Sequence, residues 1–140
     1  MKKLSPKYIT ITDKTVKVLD ENGVEQNRIA LQIVFSLEKE VELGDGKERK
    51  TLFFFLSEWR KALRDADAGA YLEALDEKFG DTPAKHQDAF NRISRACTWK
   101  IDLKEDGYPT IVGVELPDSI KASALEYKKK RDAEMSSFGI

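Results

Sequence analysis

His86 and Cys97 are the only histidine and the only cysteine in this chain, and an imidazole beside a thiol is the smallest kit for nucleophilic catalysis. Both fall on one helix expected to start at Pro83. Eleven residues at the helical rise set them ~16 Å apart, far beyond the ~3 Å that a nucleophile and its base need. A core or boundary role is expected for both, with Cys97 as a small buried hydrophobe. Glu38, Glu40 and Glu42 recur on one parity of a strand, the pattern of a solvated surface and not of an acid/base pair in unlike environments. Asp65 with Asp67, and Asp102 with Asp106, lack calcium-loop spacing, and one His with one Cys makes no zinc site. Gly44-x-Gly46 has neither the third glycine nor the following helix of a dinucleotide loop. We expect no metal, no cofactor and no enzymatic activity.

The basic and aromatic residues read differently. Lys47, Arg49 and Lys50 run directly into Phe53, Phe54 and Phe55, and Lys17 and Arg28 fall on neighbouring strands. Cations that neutralise phosphates beside rings that stack on bases are how single strands are held. Strand alternation puts either Phe54 or the pair Phe53 and Phe55 in the core; we assign Phe54 as the stacking ring. Lys128, Lys129, Lys130 and Arg131 wrap around the last helix, where cations complement the helix dipole. Phe138 and Ile140 sit on a tail, residues 136–140, suited to docking on a partner protein.

Behind these residues stand recognisable elements. From Ile29 the odd positions are Ile29, Leu31, Ile33, Phe35 and Leu37 and the even ones Ala30, Gln32, Val34, Ser36 and Glu38, the period of a half-buried strand. At ~3.3 Å per residue, residues 29–43 would span ~50 Å, so the strand should bend, bulge or project as a hairpin arm near residues 37–50. Residues 8–12 and 15–19 read as two short strands turning at Asp13-Lys14, and residues 51–56 as an interior strand. Ser57 suits an N-cap, with Trp59, Ala62, Leu63 and Ala66 forming one apolar helical stripe. Helices over residues 70–79 and from Pro83, a hairpin over residues 99–116 and a last helix from Pro117 complete an α+β domain spanning residues 1–140. Its expected form is one antiparallel sheet of about six strands, four N-terminal ones plus a C-terminal hairpin, packed by three to four helices.

Composition sets limits. At 41% hydrophobic and 35% charged, 140 residues can bury one core and do not read as disordered. No apolar run approaches the ~20 residues of a bilayer crossing, so no membrane association is expected. The lone cysteine fits a reducing, cytoplasmic compartment. Residues 1–64 carry 13 Lys+Arg against 10 Asp+Glu, and residues 65–140 carry 11 against 15. That balance argues against the strong phosphate attraction of a duplex-DNA binder and leaves room for modest contact with single strands.

The segment from Lys50 through Trp59 to Leu63, with its basic loop, strand and Ser57-headed helix, resembles the last strand and helix of the Whirly and transcriptional-coactivator family of single-stranded nucleic-acid-binding domains. The likeness covers residues 8–64. It implies single-strand binding across the sheet by Lys17, Arg28, Lys47, Arg49, Lys50 and one phenylalanine. The expectation is a non-enzymatic single-strand-binding accessory protein, phage or bacterial. The alternative is a protein-interaction module, an inhibitor or adaptor, that acts through the long hairpin, a sheet edge or the C-terminal helix. Homo-oligomers through a sheet edge are compatible with either.

Overall fold

A computed structural model describes residues 1–80 and 82–136 of the chain. In chain order the elements are β1 (Lys2–Leu4), β2 (Tyr8–Leu19), β3 (Glu25–Glu42), β4 (Glu48–Phe55), α1 (Leu56–Asp65), α2 (Gly69–Phe79), α3 (Pro83–Ala96), β5 (Thr98–Leu103), β6 (Pro109–Glu115) and α4 (Asp118–Ser136). The class is α+β; the described residues form six antiparallel strands and four helices, but the strands make two sheets of three, ordered β1-β5-β6 and β2-β3-β4. The single six-stranded sheet expected above is therefore incorrect. Its C-terminal hairpin recruits the N-terminus instead, pairing Lys2 with Ile101 and Leu4 with Trp99. A three-residue strand leaves no periodic trace in sequence.

Residues 8–19 also depart from expectation. Asp13 and Lys14 do not turn; they pair in register with Leu31 and Ala30, inside one unbroken strand that runs from Tyr8 opposite Ser36 to Leu19 opposite Glu25. The length of β3 explains this, since a turn at Asp13 would have left the first half of β3 without a partner for its amides. The turn into β3 falls at residues 20–23, where Asp-Glu-Asn-Gly has the composition of a turn: the Asp20 carboxylate accepts the amide hydrogens of Asn22 and Val24, both at 2.9 Å, and Gly23 takes a φ of 76°.

Strand β4 pairs with β3 from Gln32 opposite Phe55 to Glu42 opposite Glu48, with an irregularity between Ser36 and Val41. The hairpin over residues 37–50 is not free along its length, because Leu37 is buried and Val41 and Leu43 pack on the core. The ribbon that outruns its neighbour is the opposite end of β2 and β3, beyond Gln32, where β4 has ended.

The core is one contiguous cluster, built on the odd parity of β2 and β3, the even parity of β4 and the apolar stripe of α1. Phe54 meets Phe35 edge to face at 5.1 Å, Phe35 meets Trp99 at 5.5 Å, and Trp99 stacks on Trp59 at 5.7 Å. Both indole N–H groups are satisfied by one residue. Trp59 Nε1 donates to the Ser94 hydroxyl at 3.0 Å and Trp99 Nε1 to the Ser94 carbonyl at 2.9 Å, as buried polar groups require. Helix α1 starts one residue before Ser57, with Glu58 accepting the Phe55 amide hydrogen at 3.3 Å. Ser57 is therefore inside the helix and not its cap. Helix α3 opens as its sequence indicates, with Thr82 at the N-cap and Pro83 in the first turn. Among the described residues, no helix is long and apolar enough to cross a membrane.

Candidate nucleic-acid interface

One face of β2-β3-β4 carries helices and the other is bare. Strand alternation and the ladder place Thr10, Val34 and Phe53 in one row of the bare face and Thr12, Gln32 and Phe55 in the next, with Tyr8, Ser36 and Thr51 in the row beyond. Phe53 is 55% exposed and Phe55 40%, whereas Phe54 between them is 2% exposed. This corrects the stacking residue: Phe54 lies against Phe35 in the core and cannot meet a base. The two rings that can are its neighbours.

A cation already answers one of them. Lys14, in β2, holds its Nζ 5.8 Å from the centre of the Phe55 ring, within the range of attraction to an aromatic face. The bare face borders a cleft of about 800 Å³, lined by Phe53 and Phe55 on one side and by Lys104 and Tyr108 of the β5-β6 turn on the other, with Lys47 and Arg49 at its hairpin end. Tyr108, like Tyr8, is an exposed ring. The arrangement is a flat aromatic floor with cations at its margins, which suits planar, anionic, extended ligands.

The expected cations fare unequally. Lys47 lines the cleft and makes no ion pair among the described residues. Arg49 lines it too, but its guanidinium is committed to Asp45 through two bonds of 2.6 and 3.0 Å. That pairing holds the Asp45 carboxyl down at about 2. Arg28 shares the parity of the bare face, opposite Val16. Lys17 and Lys50 do not: Lys17 follows the parity of Ile9 and Ile11, and Lys50 that of Leu52 and Phe54, so both belong to the opposite side of the sheet. The structure therefore brings Lys47, Arg49 and Arg28 to the face bearing Phe53 and Phe55, and separates Lys17, Lys50 and Phe54 from it. Phe138 and Ile140 lie outside the described residues.

Sequence reasoning missed Lys14, Tyr8, Lys104 and Tyr108. Lys14 belongs to a dipeptide with the composition of a turn, which conceals its place in a strand. Lys104 and Tyr108 come from a hairpin remote in sequence, and only the packing of α1 and β4 against β6 brings them to the cleft.

Acids temper the field. Asp13, Glu58 and Asp106 share the cleft with Lys14, Lys47, Arg49 and Lys104. Along the hairpin, the Gly46 and Gly44 amides hold the Glu42 carboxyl below its usual value, and the Glu48 carboxyl is raised by its hydrogen bond to Glu40 and the adjoining charge. A strong phosphate trap would not be built this way.

The groups that suggested catalysis are accounted for elsewhere. Burial pushes the Cys97 thiol up to about 12, leaving it without nucleophilic thiolate. His86 donates from Nε2 to the Gly80 carbonyl at 2.8 Å and packs its ring against Phe79 and Phe90. In α4, Lys128 and Arg131 reach Asp67 and Glu73 at 3.5 and 3.3 Å. Among the described residues, no group of three or more His, Cys, Asp or Glu side chains is placed to hold a metal ion. No known protein family, curated protein or solved structure matches the chain.

Proposed function

We propose that this chain is a non-enzymatic single-strand nucleic-acid-binding domain, working in a reducing cytoplasmic setting, whose interface is the bare face of β2-β3-β4. The observation that carries this reading is the pair Phe53 and Phe55, held side by side in solvent on a rigid antiparallel sheet, with Lys14 over one ring and Lys47 free beside them. Large rings kept out of the core at alternate positions of one strand cost the fold hydrophobic burial. Stacking on bases recovers about 1–3 kcal/mol per base. The near-balance of charge in the cleft makes phosphate contacts the smaller contribution.

Titration of a short single-stranded oligonucleotide at low and moderate salt tests the reading. With Lys14, Lys47 and Arg28 as the cations of this face that make no ion pair among the described residues, affinity should fall with salt at a logarithmic slope of about −2, from roughly −0.7 per phosphate contact. Absence of binding at low salt would reject it.

A protein-interaction module is the second reading, favoured by the balanced charge of the cleft and by exposed Leu19, Val24, Ile29 and Leu31 on the projecting ribbon. In that case deletion of residues 132–140 or truncation of the ribbon should abolish capture of a partner, with no oligonucleotide bound.

A further inference from the structure

The outer edge of β2 is treated in two ways. At its start, where the amides that do not face β3 point outward, helix α3 covers them. The Ile9 N–H donates to Asn91 Oδ1 at 2.8 Å, the Ile11 N–H donates to Gln87 Oε1 at 2.8 Å, and Gln87 Nε2 donates to the Ile9 carbonyl at 2.7 Å. Helix α3 begins at Pro83, one turn before Gln87, so this cover ends beside Asp13. By the same alternation, the outward amides and carbonyls of Thr15, Lys17 and Leu19 continue along an edge that no described residue covers. An uncovered, regular edge is a template for another strand.

We propose that the occupant of this edge is a second copy of the chain, paired antiparallel through residues 13–19 about a two-fold axis at Val16. Strand length and charge favour this partner and register. With Val16 opposite its own copy, residues 13–19 of β2 all find partners. Asp13 lies diagonal to Lys17 of the second copy and Lys14 diagonal to its Asp20, each pair occurring twice; against them stand the diagonals of Lys17 with its own copy, once, and of Asp13 with Glu21, twice, and no like charges stand directly opposite each other. Centring on Lys17 sets lysine against lysine and Asp13 against Glu21. Centring on Lys14 repeats the lysine clash, and centring on Thr15 drives the second copy into the start of α3. Lys17 can re-pair, because its one ion pair among the described residues, with Glu25, is 3.9 Å long and exposed on both sides.

The product is one six-stranded sheet, β4-β3-β2 continued by β2-β3-β4 of the second copy. Its axis runs through the sheet, so both bare faces, with Phe53 and Phe55 of each copy, look the same way. The inference stands apart from nucleic-acid binding and is tested with no oligonucleotide present.

Molar mass by sedimentation across a concentration series should show a monomer-dimer equilibrium. Thr15→Pro removes an outward amide that bonds nothing among the described residues of one copy, and it should leave a folded monomer. Should that variant melt early, Lys17→Pro makes the same test at the next outward amide. Asp13→Lys should weaken the dimer about tenfold, and Asp13→Lys with Lys17→Asp should restore it. A wild-type chain that stays monomeric at the highest concentration reached, a dimer that survives both proline variants, or a double variant no tighter than Asp13→Lys would overturn the proposal.

Discussion

The two faces of β2-β3-β4 share one backbone and one register, yet they have opposite fates. On the covered face Ile9, Phe35 and Leu52 form one row and Ile11, Ile33 and Phe54 the next, sealed by α1 and α3. On the bare face, one residue away along β4, Phe53 and Phe55 stand in solvent. Three successive phenylalanines therefore divide by parity alone into one that holds the molecule together and two that do not. Identical side chains gain their meaning from which way the pleat turns them.

The difference can be broken at its strongest point first. Phe54→Ala should destabilise the fold by about 3–5 kcal/mol, the cost of a buried aromatic and its cavity, while Phe53→Ala should stay within about 0.5 kcal/mol. Thermal or urea unfolding measures both, and equal losses would mean that the faces are not distinct. Oligonucleotide affinity should invert that order: Phe53→Ala with Phe55→Ala should lose about 1–3 kcal/mol per stacked base with the melting temperature nearly unchanged.

The covered face can also be tested without touching its rings. Ser94→Ala removes the hydroxyl that accepts Trp59 Nε1–H, leaving a buried donor unpaired at a cost of about 1–3 kcal/mol. The Thr10 and Thr12 hydroxyls of the bare face make no such bond among the described residues. Thr10→Ala or Thr12→Ala should therefore change stability by no more than about 0.5 kcal/mol in the same unfolding measurement.

The smallest effect concerns Asp45. Its folded-state value is depressed to about 2 by the Arg49 bonds, so the stabilisation is present above the ordinary value near 3.8 and lost as pH falls through about 2. A carboxyl titration by NMR should place the midpoint near 2; a midpoint near 3.8 would show Arg49 free. Asp45→Ala should then release Arg49 to the cleft and steepen the salt dependence of binding by about one contact.

Much of the covered face was legible in the sequence. The alternation from Ile29 to Leu37 and the Trp59, Ala62, Leu63 and Ala66 stripe point to core residues directly; Ile33, Phe35 and Leu37 are buried as their spacing indicates, and so are Trp59, Ala62 and Leu63, with Ala66 half-buried at the helix C-cap, while Ile29 and Leu31 lie out on the projecting ribbon. The bare face was harder because three phenylalanines in a row carry no alternation of their own. Their flanks did carry it: Thr51 and Ser57 share the parity of Phe53 and Phe55, and Leu52 and Leu56 that of Phe54. Weighing those four neighbours would have turned Phe54 inward. The second sheet was not legible, because β1 offers only Lys2, Lys3 and Leu4, and its pairing is decided by Trp99 and Ile101, remote in sequence. Asp13-Lys14 misled for a related reason, since turn propensity is local and the pull of an unpaired β3 is not.

The central claim is that the Phe53 and Phe55 face is where a single strand lies. Mapping by NMR, with a short oligonucleotide added to isotope-labelled protein, addresses it directly. The ring signals of Phe53 and Phe55 and the amides of Thr10, Thr12 and Gln32 should move together and saturate with the binding curve, while Ile33 and Phe54 stay in place. Shifts confined to α4, or none on the bare face at saturating oligonucleotide, would contradict the account.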